Sequence, residues 1–196
     1  MFPRQEGDSD RIGFDMVFLM LGMFLFITII LIHFIGEKAE LEKDQNQGNL
    51  IVQMFWPDTF SSDVDLWIQV NDNPPVGYSN LGGPIFNLLR DDLGEVHDTS
   101  GRNMEIAASR GLPDGEYIIN VHLYTLRNNE KPIPVRVVVS LKKDRNSKSL
   151  ERFTTLVELS FRSQEHTAVR FIVENGEIID DSATQEYFPI RGVLYE

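Results

Sequence analysis

An aspartate stands directly before the longest apolar segment of this sequence. Asp15 precedes the residues from Met16 to Ile35, which include no Asp, Glu, Lys or Arg. An ionisable residue in or beside a membrane span is costly, about 2.5–3.5 kcal/mol at the helix centre on insertion scales, and by default suggests an ion or proton pathway. The alternative is an interfacial carboxylate near Arg11, favoured there by the helix dipole. Position alone leaves both interpretations of Asp15 open.

Acidic residues are also concentrated in the segments SSDVD, VNDN and RDDLGEVHD, which offer the oxygen ligands that Ca²⁺ prefers. None has the spacing of an EF-hand loop. Asp63 and Asp65 share a strand face, but Asp91 and Asp92 approach them only if the fold brings the two loops together. Solvated or turn-forming aspartates are the simpler interpretation. We therefore predict no metal ligands and no cofactor, and keep bound Ca²⁺ as the minor alternative.

The sequence offers little for catalysis. It has no cysteine, no G-x-S-x-G and no H-E-x-x-H. His97, His122 and His166 are scattered, and His122 shares its strand face with Asn120 and Tyr124, which predicts a histidine at the surface or rim. We therefore expect no catalytic residue and no enzyme.

The apolar segment has the length of a transmembrane helix, because about 20 residues cover a hydrocarbon core of roughly 30 Å. A cleaved signal peptide would have a shorter apolar region and a small-residue cleavage site, neither of which is present. The remainder, residues 37–196, carries 16 Lys and Arg against 26 Asp and Glu. This negative balance disfavours nucleic acid as a partner.

From Asn49 onward the sequence shows the period-two alternation of half-buried strands, for example in DVDLWIQV, IPVRVVVSLKK and RFTTLVELSF. Asn175-Gly176 between two such runs predicts a type I′ hairpin. Eight or nine short strands predict an all-β antiparallel sandwich of immunoglobulin-like type. In LPDGEYIINVHLY, Tyr117 has the position of a tyrosine corner, a structural role. Together with DVDLW, this segment resembles uncharacterised sandwich modules of bacterial surface and exported proteins, a likeness of fold over residues 50–145.

The segment GFDMVFLMLGMFLFITIILI resembles the single membrane helix of the MotB, ExbD and TolR family of ion-driven motor subunits. The likeness covers residues 11–35. It implies that Asp15 is the ion relay for H⁺ or Na⁺. Phe18, Gly22 and Phe26 fall on the stripe of Asp15 at spacings of three and four, where Gly22 permits close helix packing. The chain lacks the OmpA-like sequence of MotB and the small α/β domain of ExbD and TolR.

The same resemblance implies a homodimer inside a ring, usually of five copies, of a polytopic MotA, ExbB or TolQ-like partner. The N-terminus would be cytoplasmic and the sandwich periplasmic, with an envelope target for its motion. The expected segments are a short N-terminus at 1–14, a transmembrane helix at 15–36, a stalk at 37–48 and the sandwich at 49–196. The alternative function is a membrane-anchored binding, adhesion or scaffold module without ion transport.

Overall fold

The computed structural model describes residues 14–30, 49–94, 101–142 and 147–191. The chain divides into two compact units, Met1–Asp44 and Gln45–Glu196. In the described part of the chain, the first unit consists of one helix, α1, at residues 14–30, and the second is built from strands. The predicted stalk at 37–48 lies outside the described residues, as does the N-terminal segment before Phe14.

Helix α1 presents apolar side chains on all sides. Its large apolar residues are 41–74% exposed, and Asp15 is its only charged residue. The hydroxyl of Thr28 donates to the carbonyl of Phe24 at 2.8 Å, so this polar group is satisfied within the helix. Among the described residues, no helix has both the length and the apolarity that crossing a membrane requires.

The described residues of the second unit form nine strands. These are β1 (Asn49–Phe55), β2 (Asp63–Val70), β3 (Phe86–Arg90), β4 (Met104–Ser109), β5 (Gly115–Thr125), β6 (Ile133–Lys142), β7 (Leu150–Leu159), β8 (Glu165–Glu174) and β9 (Glu177–Thr184). All pairings are antiparallel, in the order β3-β4-β1-β6-β7 in one sheet and β2-β5-β8-β9 in the other. The predicted antiparallel sandwich is confirmed at this level.

The core lies between the two sheets and follows the period-two pattern of the sequence. Val64, Leu66 and Ile68 of β2 point into it from one sheet, and Val52 and Met54 of β1 from the other. Each is at most 2% exposed. Apolar residues occupy the inward face of these strands, because burying their surface away from water stabilises the fold.

The predicted hairpin at Asn175-Gly176 joins β8 to β9. Both turn residues have positive φ, 53° and 73°, as a type I′ turn requires. This dipeptide was readable from the sequence because few residues other than Asn and Gly adopt these angles at low cost.

The outer face of β2 was predicted to be solvated, and this is wrong. All eight residues of β2 are buried, including Asp63 and Asp65. On this outer face Ile190, from the C-terminal segment, packs against Trp67 of β2 and Ile118 of β5. Among the described strands, β2 is paired in its sheet only with β5, and β-bridge hydrogen bonds join Ile68, at its free edge, to Val76. A face that looks half-exposed in sequence is thus covered by distant segments.

Candidate functional site

Helix α1 carries the predicted ion relay. Asp15 is exposed, and Phe18, Gly22 and Phe26 follow it on one face. Phe18 is 70% and Phe26 64% exposed. A Cβ atom added at Gly22 would meet no described atom within 4 Å outside its own helical surroundings. The stripe is therefore open along its length in the described part of the chain.

The buried Tyr117 makes the contact that defines a tyrosine corner. Its hydroxyl donates to the carbonyl of Pro113 at 2.8 Å, and its ring stacks on Phe171 with centroids 5.2 Å apart. Burial, followed by the charge of Asp114, raises the pKa of Tyr117. The hydroxyl is therefore a structural donor at physiological pH.

Three carboxyl groups converge at the free edge of β2. Asp65 comes from β2, Asp91 from the loop after β3, and Glu105 from β4 in the opposite sheet. One oxygen of each lies within 4.8 Å of an oxygen of the other two. We refer to these three residues as the carboxylate cluster. Asp65 and Glu105 are buried, whereas Asp91 is exposed and opens the cluster to solvent.

Glu105 reaches the cluster from inside the sandwich. Its register partner on β1 is Met54, and both residues are 0% exposed. Its Oε2 accepts the backbone N–H of Leu66 at 2.8 Å, a donor at the free edge of β2. Burial raises the pKa of Glu105 well above its ordinary value; the Leu66 N–H opposes the shift, and the charges of Asp65 and Asp91 add to it. The carboxyl group of Glu105 thus connects β4 of one sheet to β2 of the other. Burial and the neighbouring acids disfavour its charged form.

Asp65 is held by His122. The two residues face each other across β2 and β5, and Asp65 Oδ2 lies 2.8 Å from His122 Nδ1. The prediction of a surface or rim histidine is wrong, because His122 is only 1% exposed. Its Nε2 has no partner in the described part of the chain. His166, by contrast, is exposed, and His97 lies outside the described residues.

The loop that carries Asp91 is shaped by its neighbour Asp92. This carboxylate accepts from Arg90 Nη2 at 2.7 Å and from the backbone N–H groups of Gly94 and Met104 at 3.1 and 3.2 Å. Gly94 has φ +70°, and a Cβ there would lie 2.5 Å from the carbonyl oxygen of Ser61. Asp92 and Gly94 therefore fix the path of the loop beside β2.

Asp63 is a further buried acid of β2, two residues before Asp65 and next to an irregularity in the pairing of β2 with β5. It is only 3% exposed, and its Oδ1 has no partner among the described residues. Burial and then the charge of Asp65 raise the pKa of Asp63 to about 7; Asp91 and Asp92 act in the same direction and Arg127 opposes them. Burial and the neighbouring acids therefore both disfavour the charged form of Asp63.

Such an arrangement suits either a proton shared between carboxyl groups or a hard cation bound by oxygen. It offers no thiolate ligand, because the chain has no cysteine. Only oxygen-preferring metals match its donors.

The sequence named two of the three cluster residues. Asp65 and Asp91 came from the acidic segments, and the condition that the fold must join their loops is met. Glu105 was missed, although it alternates with the buried Ala107 and Ser109 and so occupies an inward position of β4. A charged residue in the inward phase of a strand is the signal that could have identified it. Asp72 of VNDN lies on an exposed turn instead.

No family model, curated protein or solved structure matches this chain.

Proposed function

We propose that this protein is the B-type subunit of a proton- or sodium-driven motor of the bacterial inner membrane, with Asp15 as the ion relay. The observation that carries the proposal is the placement of one carboxylate on a helix whose every other described side chain is apolar or a self-satisfied hydroxyl. Water is a poor solvent for such a surface, so the helix needs lipid or partner helices around it. A carboxylate retained there at a cost in free energy indicates a function that requires it.

The proposed span includes α1 and the apolar residues up to Ile35, with the N-terminus cytoplasmic and the sandwich periplasmic. Two copies would lie within a ring of a polytopic MotA, ExbB or TolQ-like partner. The face of Asp15, Phe18, Gly22 and Phe26 supports this arrangement, because an open glycine between aromatic side chains allows close approach of another helix.

The mechanism would be electrostatic. An ion arriving from the periplasm neutralises one Asp15 carboxylate and removes a charge from a low-dielectric environment, which changes the favoured packing of the helix. Release to the cytoplasm restores the charge. One elementary charge crossing 100 mV supplies about 2.3 kcal/mol, enough to bias a conformational step of that size.

The sandwich would receive this motion through the segment that follows the helix and pass it to an envelope target. We assign it to the immunoglobulin-like type because Tyr117 bonds to Pro113 in the manner of a tyrosine corner. The alternative is a membrane-anchored binding or scaffold module without ion transport. The carboxylate cluster favours this alternative, since it gives the sandwich a candidate site independent of Asp15.

The test begins with extraction of the full-length protein from its native membrane in mild detergent and mass measurement of the complex. The motor proposal requires a polytopic partner in excess over two copies of this chain. A chain that runs alone or as a simple homo-oligomer supports the binding module and contradicts the motor.

Ion flux through the reconstituted complex then tests Asp15 directly. Asp15→Asn should assemble normally but conduct no ions, because an amide neither binds nor releases a proton at physiological pH. Asp15→Glu is the matched control, since it keeps the carboxylate and should retain part of the flux. Full ion flux in a correctly assembled Asp15→Asn variant would show that Asp15 is not the ion relay. Asp15 would then be an interfacial carboxylate.

A further inference from the structure

We propose that β7 binds an extended, basic segment of a partner protein by β-strand addition, with small side chains of that segment entering a cleft between the two sheets. This surface belongs entirely to the second unit of the chain, so the proposal stands whether or not Asp15 carries ions. It rests on the free edge of β7, on the cleft beside that edge and on the excess of acids on the two strands that border the cleft.

The edge of β7 that faces away from β6 is unpaired among the described strands. Opposite residues of an antiparallel pair point their N–H and C=O groups either at each other or both away, which fixes the direction of these groups on β7. Trp56 N–H donates to the carbonyl of Asn103 just before β4, so Phe55, one residue earlier, points to β6. Its register partner Arg136 therefore points to β1, and Leu156, the register partner of Arg136 on β7, points to the free edge.

This free edge is exposed over the second half of β7. The side chains of Val157 and Leu159 are buried in the core, whereas Leu156 is 64% exposed. Thr154 and Glu158 are also exposed, and each lies two residues from Leu156, so their N–H and C=O groups point to the same edge. Lysine and proline, which commonly block edge strands, do not occur in β7. The strand is therefore open to pairing with another chain.

A cleft of about 370 Å³ lies beside this edge, between the two sheets. It is lined by residues 152–155 of β7, Val169 of β8 and residues 183–185 at the end of β9. The pairing of β9 with β8 is irregular here: from Ile179 to Thr184, β9 advances by five residues while β8 advances by two. The volume is within the range of ligand pockets, about 300–1,000 Å³. Strand addition typically places alternate side chains of the added segment in such pockets, which provide its specificity.

Acids predominate on the two strands that border the cleft. Strand β7 has two acids and one arginine, and β9 has three acids and no cation. All five acids are exposed, namely Glu151, Glu158, Glu177, Asp180 and Asp181. Arg152 Nη2 binds Asp180 Oδ1 at 2.6 Å, and the other four acids form no ion pair among the described residues. Lys142 and Lys148 lie where β7 begins, at the opposite end from Glu158. Lysine or arginine in the added segment complements this surface, whereas acidic residues are repelled.

A second copy of this chain is the rival occupant of the free edge. It would bring the same acidic strand, and the arginine of β7 is already bound to Asp180. Like charges on paired strands disfavour their pairing. A basic segment of another protein supplies the missing cations and therefore fits this edge better than a second β7 does.

The probe is a fluorescein-labelled, ten-residue peptide of alternating lysine and threonine, which matches β7 in length. Its fluorescence anisotropy is followed as full-length protein in non-ionic detergent is added at low salt. We expect saturable binding that weakens about tenfold or more between about 0.05 M and about 0.5 M NaCl, because salt screens the attraction between exposed charges. The same peptide with glutamate in place of lysine should not bind.

Leu156→Pro and Leu156→Ala form a matched pair that tests strand addition. Proline removes an N–H that points to the free edge and leaves the hydrogen bonds to β6 in place, a position at which edge strands accept proline. Leu156→Pro should therefore weaken binding of the lysine peptide by about tenfold or more, since it removes a donor from the added ladder. Leu156→Ala removes the same side chain, keeps the N–H and should bind like the unaltered protein. Melting temperatures followed by tryptophan fluorescence establish that both variants fold.

Glu158→Lys tests the charge of the edge independently of its backbone. It should weaken binding of the lysine peptide by about tenfold, because it replaces an attractive charge with a repulsive one. Asp72→Lys is the matched control, since it makes the same change of charge on an exposed turn and should leave binding unchanged.

The absence of saturable binding, or equal binding of the glutamate peptide, would overturn the proposal. Binding to folded Leu156→Pro as tight as to Leu156→Ala would exclude strand addition. Equal losses in Glu158→Lys and Asp72→Lys would show nonspecific charge attraction, and this comparison decides the matter if Leu156→Pro does not fold. A complex whose mass falls in Leu156→Pro but not in Leu156→Ala, without peptide binding, would assign the edge to a second copy of this chain instead.

Discussion

The carboxylate of Asp65 and the imidazole of His122 face each other on neighbouring strands, with Oδ2 and Nδ1 2.8 Å apart and both residues at most 2% exposed. This pair lies on the outer face of its sheet, the face on which Ile190 packs against Trp67 and Ile118. Each side chain thus provides a hydrogen-bond partner that lowers the free-energy cost of burying the other. Asp65 is in turn one of the three members of the carboxylate cluster, so the pair links the stability of the sandwich to its candidate site.

Replacement of His122 should therefore destabilise the sandwich strongly. His122→Ala leaves Asp65 buried without its hydrogen-bond partner, and a buried polar group left unsatisfied costs about 1–3 kcal/mol. Urea unfolding of the full-length protein in detergent, followed by tryptophan fluorescence, measures this because Trp56 and Trp67 are both buried in the sandwich. His166→Ala is the control, since His166 is exposed. Equal unfolding midpoints for the two variants would show that the pair contributes no stability.

Asp63 should make the sandwich less stable as the pH rises. Its pKa is raised from 3.8 to about 7 by burial and by Asp65. Between these values the folded state binds more protons than the unfolded state, so stability from this group is complete below pH 4 and is lost as the pH approaches 7. The expected loss is of the order of a few kcal/mol.

Asp63→Asn isolates that effect because it removes the titration and keeps the shape of the side chain. With a chelator present throughout, the variant should gain stability relative to the unaltered protein between pH 5 and pH 8, as measured by urea midpoints at both values. Glu105 and Asp65 also have raised pKa values, so both proteins retain some pH dependence. A difference between them that stays constant with pH would contradict the assignment to Asp63.

Local chemistry explains which parts of the fold were predictable. The β8–β9 turn could be predicted from the sequence because Asn175 and Gly176 tolerate positive φ. The strands could be predicted because apolar and polar residues alternate along them. The Tyr117 contact spans only four residues to Pro113. Each of these features is encoded within a few neighbouring residues.

The carboxylate cluster depends instead on contacts between distant parts of the chain. Asp65 and Glu105 are 40 positions apart and belong to different sheets. The outer face of β2 is buried because Ile190, at the far end of the sandwich sequence, packs on Trp67. A period-two pattern identifies the two faces of a strand but contains no information on what covers the second one.

Tyr117→Phe tests the structural role of the tyrosine corner. The variant removes one hydrogen bond, to the carbonyl of Pro113, and keeps the ring stacked on Phe171. Its expected cost is about 0.5–1.5 kcal/mol in the free energy of unfolding. Tyr124→Phe is a suitable comparison, because Tyr124 is 42% exposed on the same strand. An unchanged urea midpoint for Tyr117→Phe would mean that the hydroxyl contributes nothing measurable.

Gly22→Leu tests whether the stripe of α1 is a packing surface. In the described chain the space above Gly22 is open, so a leucine fits within one copy and its effect arises only where another helix approaches. We expect the mass of the detergent-extracted complex to fall, through loss of the dimer or of the polytopic partner, while the melting temperature of the sandwich stays unchanged. Met23→Leu is the matched control, because it places the same side chain about 100° around the helix from the stripe. Assembly of both variants with the mass of the unaltered complex would show that Gly22 does not face a partner, and the stripe would then lose its role in the proposed motor.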